Sequence, residues 1–224
     1  EIIEYFKSFF HRFYISINQI TCSSYAKATN YKNDFTLYQN ISFIDVGFNK
    51  TSIITYSNNK ITSLNVLPVG GNHITKDISK VLKINFDQAE NLKINFNRNE
   101  TFFSDKNFSL ELLRKIIFAR NEEIMEICTQ SIKLILNTNN NYKIILMGEG
   151  SKILDNRYKD EVSFEPNVDF LEETIEDICQ SGFKLATKLR KCASQTAYKA
   201  ATSAAGNLSG VRLRPLSSMN TKGQ

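Results

Sequence analysis

The sequence of 224 residues predicts an α/β fold in which a mixed sheet is flanked by helices. Three observations support this prediction. Segments rich in β-branched and aromatic residues run from Ile41 to Val69 and are separated by short turns, as in an antiparallel meander. Segments with apolar residues at helical spacing follow the meander. One largely apolar strand, Tyr142–Met147, then comes late in the chain, and such alternation of strands and helices is typical of α/β domains.

Composition and charge exclude several classes of protein. No apolar run reaches the roughly 20 residues of a membrane-spanning helix, and the N-terminus lacks a secretory signal pattern, so we expect a cytoplasmic protein. The four cysteines lie far apart, without the close pairs of zinc or dithiol sites. Residues 193–224 hold four Lys or Arg and no acid, so they account for +4 of the net charge of +5 and leave +1 elsewhere. This distribution argues against nucleic-acid binding.

The sequence pattern of the N-terminal region predicts a helix, a strand and a second helix. Residues 1–10 repeat apolar positions at helical spacing, whereas Phe13, Ile15 and Ile17 alternate like a strand. Residues 19–28 predict another helix, which the polar segment 29–33 ends. Because the first helix has no capping residue before it, we expect the natural protein to continue upstream of Glu1.

A hairpin from Ile41 to Tyr56 is the central feature of the sequence. An apolar strand delivers Asp45 and Gly47 to a tight turn, and β-branched residues carry the chain away. A carboxylate beside outward-facing amides can hold a hydrated divalent cation while the amides contact phosphate. The alternative is a core hairpin in which Asp45 caps the turn. Asn58 and Asn59 then predict a second turn, followed by a third strand up to Val69.

Two helices follow the meander. The turn Gly70-Gly71 opens a helix over residues 73–82, whose first amides offer a second anion contact if the turn is more than a simple connection. Residues 87–96 predict a short helix with Asp87 as its cap. Glu90 and Lys93 share one face of it, where they can bind ribose hydroxyls or form a surface ion pair.

The last third of the sequence predicts a long helix, a buried strand and a terminal helix. The long helix covers residues 109–136 with Ser109 as its cap, and the strand Tyr142–Met147 runs into Gly148-Glu149-Gly150-Ser151. Ligands gather at the carboxyl ends of strands in open α/β sheets, so we expect this glycine turn to lie beside the Asp45 turn. A further helix is predicted from Phe170.

The stretch from Ile41 to Leu189 resembles the actin-like ATPase superfamily and, within it, the FtsA family of bacterial cell-division proteins. IDVGFNKT is similar to that family's second phosphate segment, Asp-Ile-Gly-Gly-Gly-Thr-Thr, and PVGG to its Pro-x-Gly-Gly turn. FDQAENLK is similar to its Ala-Glu-x-Leu-Lys helix, and LMGEGSKIL to its adenosine segment, Leu-Thr-Gly-Gly-Gly-Ser.

The resemblance implies an actin-like, ribonuclease H-like ATPase lobe over residues 1–192, with a small subdomain around residues 72–107. It implies binding of Mg-ATP, with Asp45 holding the Mg²⁺ through water and Glu90 with Lys93 at the ribose and base. It assigns no catalytic residue to this segment, and at most a weak ATPase activity. The remaining implied nucleotide contacts are Gly47, Asn49, Thr51, Gly70, Gly71, Gly148, Gly150 and Ser151.

The function that the resemblance implies is a cell-division adaptor. Such a protein self-associates into filaments and recruits FtsZ and other division proteins to the cytoplasmic face of the cell membrane at the division site. Two alternatives stay open, an ATPase or sugar-kinase-type enzyme and a pilus-assembly scaffold, because related proteins share the architecture.

Departures from the family pattern predict weak nucleotide binding. Phe48 and Asn49 replace glycines, and Glu149 brings a negative charge to the adenosine turn. Only the second lobe of an actin-like protein is recognisable, so we expect the isolated chain to bind ATP weakly or not at all and to lack appreciable hydrolysis. Residues 193–224 predict a basic, disordered tail with no sustained apolar face, so any membrane attachment is expected to be indirect or through another segment.

Overall fold

The computed structural model describes residues 1–17, 19–96, 109–133, 141–153 and 168–206, the last with side chains up to residue 193 and at residue 195. The chain separates into two compact units, Cys22–Ile178 and Glu1–Thr21 together with the segment from Cys179 onward. The helices are α1 (Ile2–His11), α2 (Ser23–Tyr31), α3 (Gly71–Leu82), α4 (Phe86–Ile94), α5 (Leu110–Lys133) and α6 (Ile175–Gly206), with 3-10 turns at Lys32–Phe35 and Glu149–Ile153. The strands are β1 (Asn40–Val46), β2 (Thr51–Ser57), β3 (Lys60–Leu67), β4 (Tyr142–Met147) and β5 (Val168–Phe170).

The unit Cys22–Ile178 contains one mixed sheet with the strand order β3-β2-β1-β4-β5. The meander β1-β2-β3 is antiparallel, whereas β1 pairs with β4, and β4 with β5, in parallel. Asn58 and Asn59 have φ angles of 48° and 64°, which suit the tight turn between β2 and β3. The predicted α/β class with a mixed sheet is therefore confirmed, while the short strand β5 was not predicted.

Helices cover both faces of this sheet because its central strands carry apolar side chains on both sides. One face packs Ile44, Ile144 and Leu146 against Ile124 and Cys128 of α5. The opposite face packs against α2 and the 3-10 turn after it, through Phe43, Ile54, Tyr56, Ile145 and Met147. A third core lies among α3, α4 and α5, with Ile74, Ile78, Leu92, Leu113 and Ile117 at its centre.

Two predicted details of this unit are wrong. Asp87 does not cap α4, because the Asn85 side chain accepts a hydrogen bond from the Gln88 amide at 2.8 Å and the Gln88 side chain accepts one from the Asn85 amide at 3.3 Å. This reciprocal capping box moves the start of the helix towards Asn85. The second predicted helix begins at Ser23 rather than residue 19, and continues to Tyr31. Ser109 does act as predicted, since its hydroxyl accepts from the Leu112 amide at 3.4 Å.

The other unit contains α1 and the part of α6 from Cys179. The strand predicted at residues 13–17 is wrong: Arg12–Tyr14 forms a turn, and residues 15–17 have no regular structure. Three alternating apolar residues are a short signal, and no described strand pairs with them. None of the described helices combines the length and apolar character that crossing a bilayer demands.

Helix α6 continues through residues 193–206, where we predicted disorder. This stretch is rich in alanine, the residue with the highest helix propensity, which favours a helix there. Residues 207–224 lie outside the described part, and disorder there stays a prediction. The subdomain around residues 72–107 also stays a prediction, since residues 97–107 are outside the described part.

Candidate functional site

Two strand-ending turns meet at one edge of the sheet. Because β1 and β4 are parallel neighbours with Asp45 opposite Met147, the turns that follow them, residues 47–50 and 148–151, lie side by side as predicted. Gly148 has φ of +91°, and a Cβ on it would overlap the Asp45 carboxylate. A Cβ on Gly150 would lie 2.7 Å from Val46 Cγ1. Both positions therefore require glycine for the turns to approach each other.

The turn at residues 47–50 is bound to the start of α3. The Gly47 amide donates to the Lys50 carbonyl at 2.9 Å and closes the turn. The amides of Gly71 and Asn72 donate to the carbonyls of Gly47 and Phe48 at 3.0 and 2.7 Å. A Cβ on Gly70 would collide with the same two carbonyls. The first amides of α3, which we expected to contact an anion, are thus occupied by the hairpin turn in this structure, because its carbonyls face the positive end of the helix dipole.

Three other predicted ligand residues hold the turns in shape. The buried Thr51 hydroxyl donates to the Val69 carbonyl at 2.8 Å. The Ser151 hydroxyl donates to the Gly148 carbonyl at 2.7 Å, within its own turn. The Asn49 side chain accepts from Asn72 Nδ2 at 2.7 Å. The side chains of these three residues therefore contribute to the site by fixing its two loops.

A cavity of about 350 Å³ lies between α3, α4 and the second turn. Glu90 and Lys93, predicted from their helical spacing, do share its wall. Lys93 Nζ donates to Glu90 Oε2 at 2.7 Å, to Thr75 Oγ1 at 2.8 Å and to the Gly71 carbonyl at 3.1 Å, and the Thr75 hydroxyl also donates to Glu90. We call this cavity the α4 cavity, and its lining is Phe48, Gly71, Ile74, Glu90, Lys93, Ile94, Glu149, Gly150, Lys152 and Ile153.

A second cavity of about 350 Å³ lies over the carboxyl end of β1, and we call it the β1 cavity. Phe48, Glu149 and Lys152 line both cavities, which are therefore neighbours. The β1 cavity carries three lysines and three acids, so its formal charges balance. These charged residues are Lys27, Lys50, Lys152, Asp45, Glu149 and Glu173.

The β1 cavity contains a buried charge cluster that the sequence reading missed. Lys27 Nζ lies 2.9 Å from Asp45 Oδ2 and 2.8 Å from Glu173 Oε2. Lys27 is 3% exposed, and Asp45 and Glu173 are each 8% exposed. Burial raises the pKa of Glu173 above its ordinary value, and the hydrogen bond from Lys27 offsets part of that rise. The one sign of this cluster in the sequence is a lysine, Lys27, between two alanines of α2. Its partner Glu173 is 146 residues away, so the sequence pattern does not connect the two.

The residues around Asp45 do not fit the hydrated Mg²⁺ that the resemblance implied. One Asp45 oxygen, Oδ2, is bonded to the Lys27 ammonium, and the other, Oδ1, lies against the backbone of Gly148. Within the described residues no three His, Cys, Asp or Glu side chains are grouped so that they could hold a metal ion. Asp45 therefore binds a cation of the protein itself.

Glu149 and Phe48 depart from the family pattern, but they do not affect local charge and backbone conformation in the way we expected. Glu149 is paired with Lys152 at 2.6 Å, so its charge is opposed at close range. Phe48 does not need a positive φ, since within the described residues positive φ angles occur only at Tyr14, Asn58, Asn59, Lys83 and Gly148. Instead, its half-exposed ring lies 5.7 Å from Lys93 Nζ, measured to the ring centroid, where the two cavities meet.

Comparisons with known proteins place this site in a family. A family model described as cell division protein FtsA matches residues 42–214. Cell division protein FtsA of Bacillus subtilis (strain 168) is 31% identical in an alignment 114 residues long, and the match covers 42% of this chain and 24% of that protein. The FtsA of Neisseria meningitidis serogroup B is 45% identical over 56 residues, 25% of this chain and 14% of that protein. The matched part is thus about a quarter or less of these relatives' length.

Solved structures agree on the fold. MreB5 of Spiroplasma citri bound to ADP aligns with 78% of this chain and 61% of its own at a TM-score of 0.58 and 19% identity. A 15-stranded ParM filament from Clostridium botulinum aligns with 73% of this chain and 51% of its own at a TM-score of 0.55 and 18% identity. Both matches support the actin-like fold.

Proposed function

The chain belongs to the FtsA family of cell division proteins, and from this premise we propose that it forms the nucleotide-binding lobe of a cell-division adaptor. The observation that carries the proposal is the meeting of the two glycine turns with the Glu90–Lys93 pair around two neighbouring cavities. The family membership also favours this role over the sugar-kinase and pilus-scaffold alternatives.

The α4 cavity is suited to an adenosine. Ile74, Ile94 and Ile153 give it apolar walls, which suit a purine base. Glu90 supplies acceptor oxygens at its rim for ribose hydroxyls, and Lys93 supplies a donor when it exchanges its longest bond, the one to the Gly71 carbonyl, for one to the ligand. Gly71 and Gly150 also line it, and with no side chain they let a ligand approach the backbone closely. A nucleotide seated in this way directs its phosphates past Phe48 towards the β1 cavity, where Lys50 and Lys152 meet their charge.

Binding by this chain alone is weak in our proposal, and hydrolysis is at most slow. Both cavities are partly open to solvent, so contacts with phosphate are made in a high dielectric and contribute little. The amides of Gly47 and Ser151 are bonded within their own turns and those of Gly71 and Asn72 to the hairpin turn, and no catalytic base is assigned among the residues of the site.

A pair of lysine variants tests this binding mode. Lys93→Met removes the ammonium at the α4 cavity, whereas Lys143→Met removes one that pairs with Asp169 at 2.8 Å and does not line either cavity. We expect Lys93→Met to weaken ADP binding by about tenfold, since a charge-assisted hydrogen bond contributes about 1.5 kcal/mol. The control should bind like the wild type in a fluorescence titration. Equal affinity of all three chains for ADP would place the nucleotide elsewhere.

The proposed partners follow from the family. We infer self-association and recruitment of FtsZ to the cytoplasmic face of the membrane at the division site, with membrane contact indirect or through a segment other than those described. Co-sedimentation with polymerised FtsZ from the same organism measures this directly, using the 224-residue chain and a longer chain that restores the rest of the family's length. If neither chain pellets with FtsZ, the adaptor role is wrong.

A further inference from the structure

The Lys27–Asp45–Glu173 cluster stands at the place where the family resemblance implied a metal ion. We propose that the Lys27 ammonium takes the place of a divalent cation at Asp45, so that the phosphate end of this site works without a bound metal. The part of this proposal that concerns phosphate rests on the proposed nucleotide site. The part that concerns the metal stands on the cluster alone.

The geometry of the cluster is that of an occupied cation site. The ammonium lies within 3 Å of an oxygen from each carboxylate, and all three side chains are at least nine-tenths buried. Glu173 Oε1 has no hydrogen-bond partner among the described residues, although it is buried in the lining of the β1 cavity. Two buried carboxylates around one position, one with an oxygen to spare, are the kind of ligands that a hard divalent cation takes. In this chain a lysine fills that position.

A metal ion cannot join the cluster while Lys27 is in it. A divalent cation within bonding distance of Asp45 would lie close to the ammonium, and two like charges at a few ångströms repel strongly in a partly buried site. Displacing Lys27 instead would leave its charge buried and unpaired. The cluster is therefore closed to metal as long as the lysine keeps its charge.

The pairing of Lys27 with Asp45 and Glu173 determines which groups of the β1 cavity can bind the phosphates of a nucleotide. A metal ion held at Asp45 would supply positive charge for the phosphates, whereas Lys27 neutralises the carboxylates of Asp45 and Glu173 directly. The β1 cavity then offers Lys50 and the paired Lys152 to an anion. Removing divalent ions should therefore leave nucleotide affinity at this site unchanged.

Binding of Mn²⁺ alone, followed by electron paramagnetic resonance, tests the proposal without any nucleotide. The 224-residue wild-type chain should take up no Mn²⁺ at the cluster, whereas Lys27→Met should bind one equivalent, at least tenfold more tightly than any weak Mn²⁺ binding by the wild type elsewhere on the chain. Lys143→Met, which removes a buried lysine that pairs with Asp169 and does not line the β1 cavity, should behave like the wild type. Adding Asp45→Asn to Lys27→Met should abolish the gained site, because one of the two carboxylates is then neutral.

The outcomes separate the two proposals. Tight Mn²⁺ binding by the wild type that Asp45→Asn removes would overturn the inference, as would a folded Lys27→Met chain that gains no Mn²⁺. Lys27→Met could be unfolded when a chelator removes all divalent ions. In that case Mn²⁺ should restore its thermal unfolding transition, and failure to restore it would count against the inference. None of these results depends on ADP binding, so failure of the nucleotide site would be recognised separately by the Lys93 titration.

Discussion

Replacing Gly70 with alanine tests how the hairpin turn is held against α3. The φ and ψ of Gly70 are −173° and −167°, an extended backbone that alanine adopts without strain, so any effect must come from contacts. The new Cβ would overlap the Gly47 carbonyl oxygen and lie 2.8 Å from that of Phe48 and 3.0 Å from the Lys50 amide. These are backbone atoms, which cannot rotate away, and therefore the turn and the helix must separate.

The separation should break the two hydrogen bonds from Gly71 and Asn72 to the turn. At about 1 kcal/mol each, with some lost packing, we expect Gly70→Ala to lower the free energy of unfolding by about 2 to 3 kcal/mol. For a domain of this size that corresponds to a fall in melting temperature of about 4 to 12 °C. Circular dichroism at the helical band during a thermal and a urea titration measures both quantities.

Gly71→Ala is the matched control for this experiment. Its Cβ would have its nearest neighbour, Lys93 Nζ, at 3.6 Å, which is an ordinary van der Waals contact. Alanine also favours the helix, so we expect a change within about 1 kcal/mol of the wild type. If Gly70→Ala is as stable as Gly71→Ala, the close packing of turn and helix described above is wrong.

Two further predictions concern buried titratable groups. Because burial raises the pKa of Glu173, its ionisation costs native stability as pH rises from about 4.5 through the raised value, so the melting temperature of Glu173→Gln relative to the wild type should be higher at about pH 8 than near pH 4. If the melting temperature of Glu173→Gln differs from that of the wild type by the same amount at both pH values, the pKa of Glu173 is not raised by burial. Burial also raises the pKa of Cys128 to about 12, so Cys22, Cys179 and Cys192 should react with a thiol reagent in the native protein and Cys128 only in denaturant. Native reaction of all four thiols would show that α5 is not packed as described.

The parts of the fold that the sequence predicted correctly are those with strong local signals. The hairpin from β1 to β2 has a largely apolar strand on one side and β-branched residues on the other, and Asn58 and Asn59 tolerate the positive φ of the next turn. The short strand β5 could not be predicted from three residues, because its pairing with β4 supplies what its own sequence lacks. The continuation of α6 to Gly206 was missed because low hydrophobicity was given more weight than alanine content.

In the candidate site, too, features set by neighbouring residues could be predicted from the sequence, whereas contacts between distant segments could not. The Glu90–Lys93 pair and the two adjacent glycine turns follow from helical spacing and from the rule for strand ends, and the structure brings them together. The role of Gly70 could not be predicted, since the carbonyls that it packs against belong to a turn some twenty residues earlier. The cluster of Lys27, Asp45 and Glu173 joins three distant segments, and only the folded sheet reveals it.

The central claim is that this lobe binds an adenine nucleotide across the α4 and β1 cavities. The most direct test is an NMR titration of the isotopically labelled 224-residue chain with ADP up to millimolar concentration, which detects weak binding. We expect saturating shifts confined to residues 47–50, 71–75, 90–93 and 148–152, with a dissociation constant well above 1 μM, the affinity that corresponds to about −8 kcal/mol. Shifts that are absent at millimolar ADP, or that fall on other parts of the chain, would contradict it.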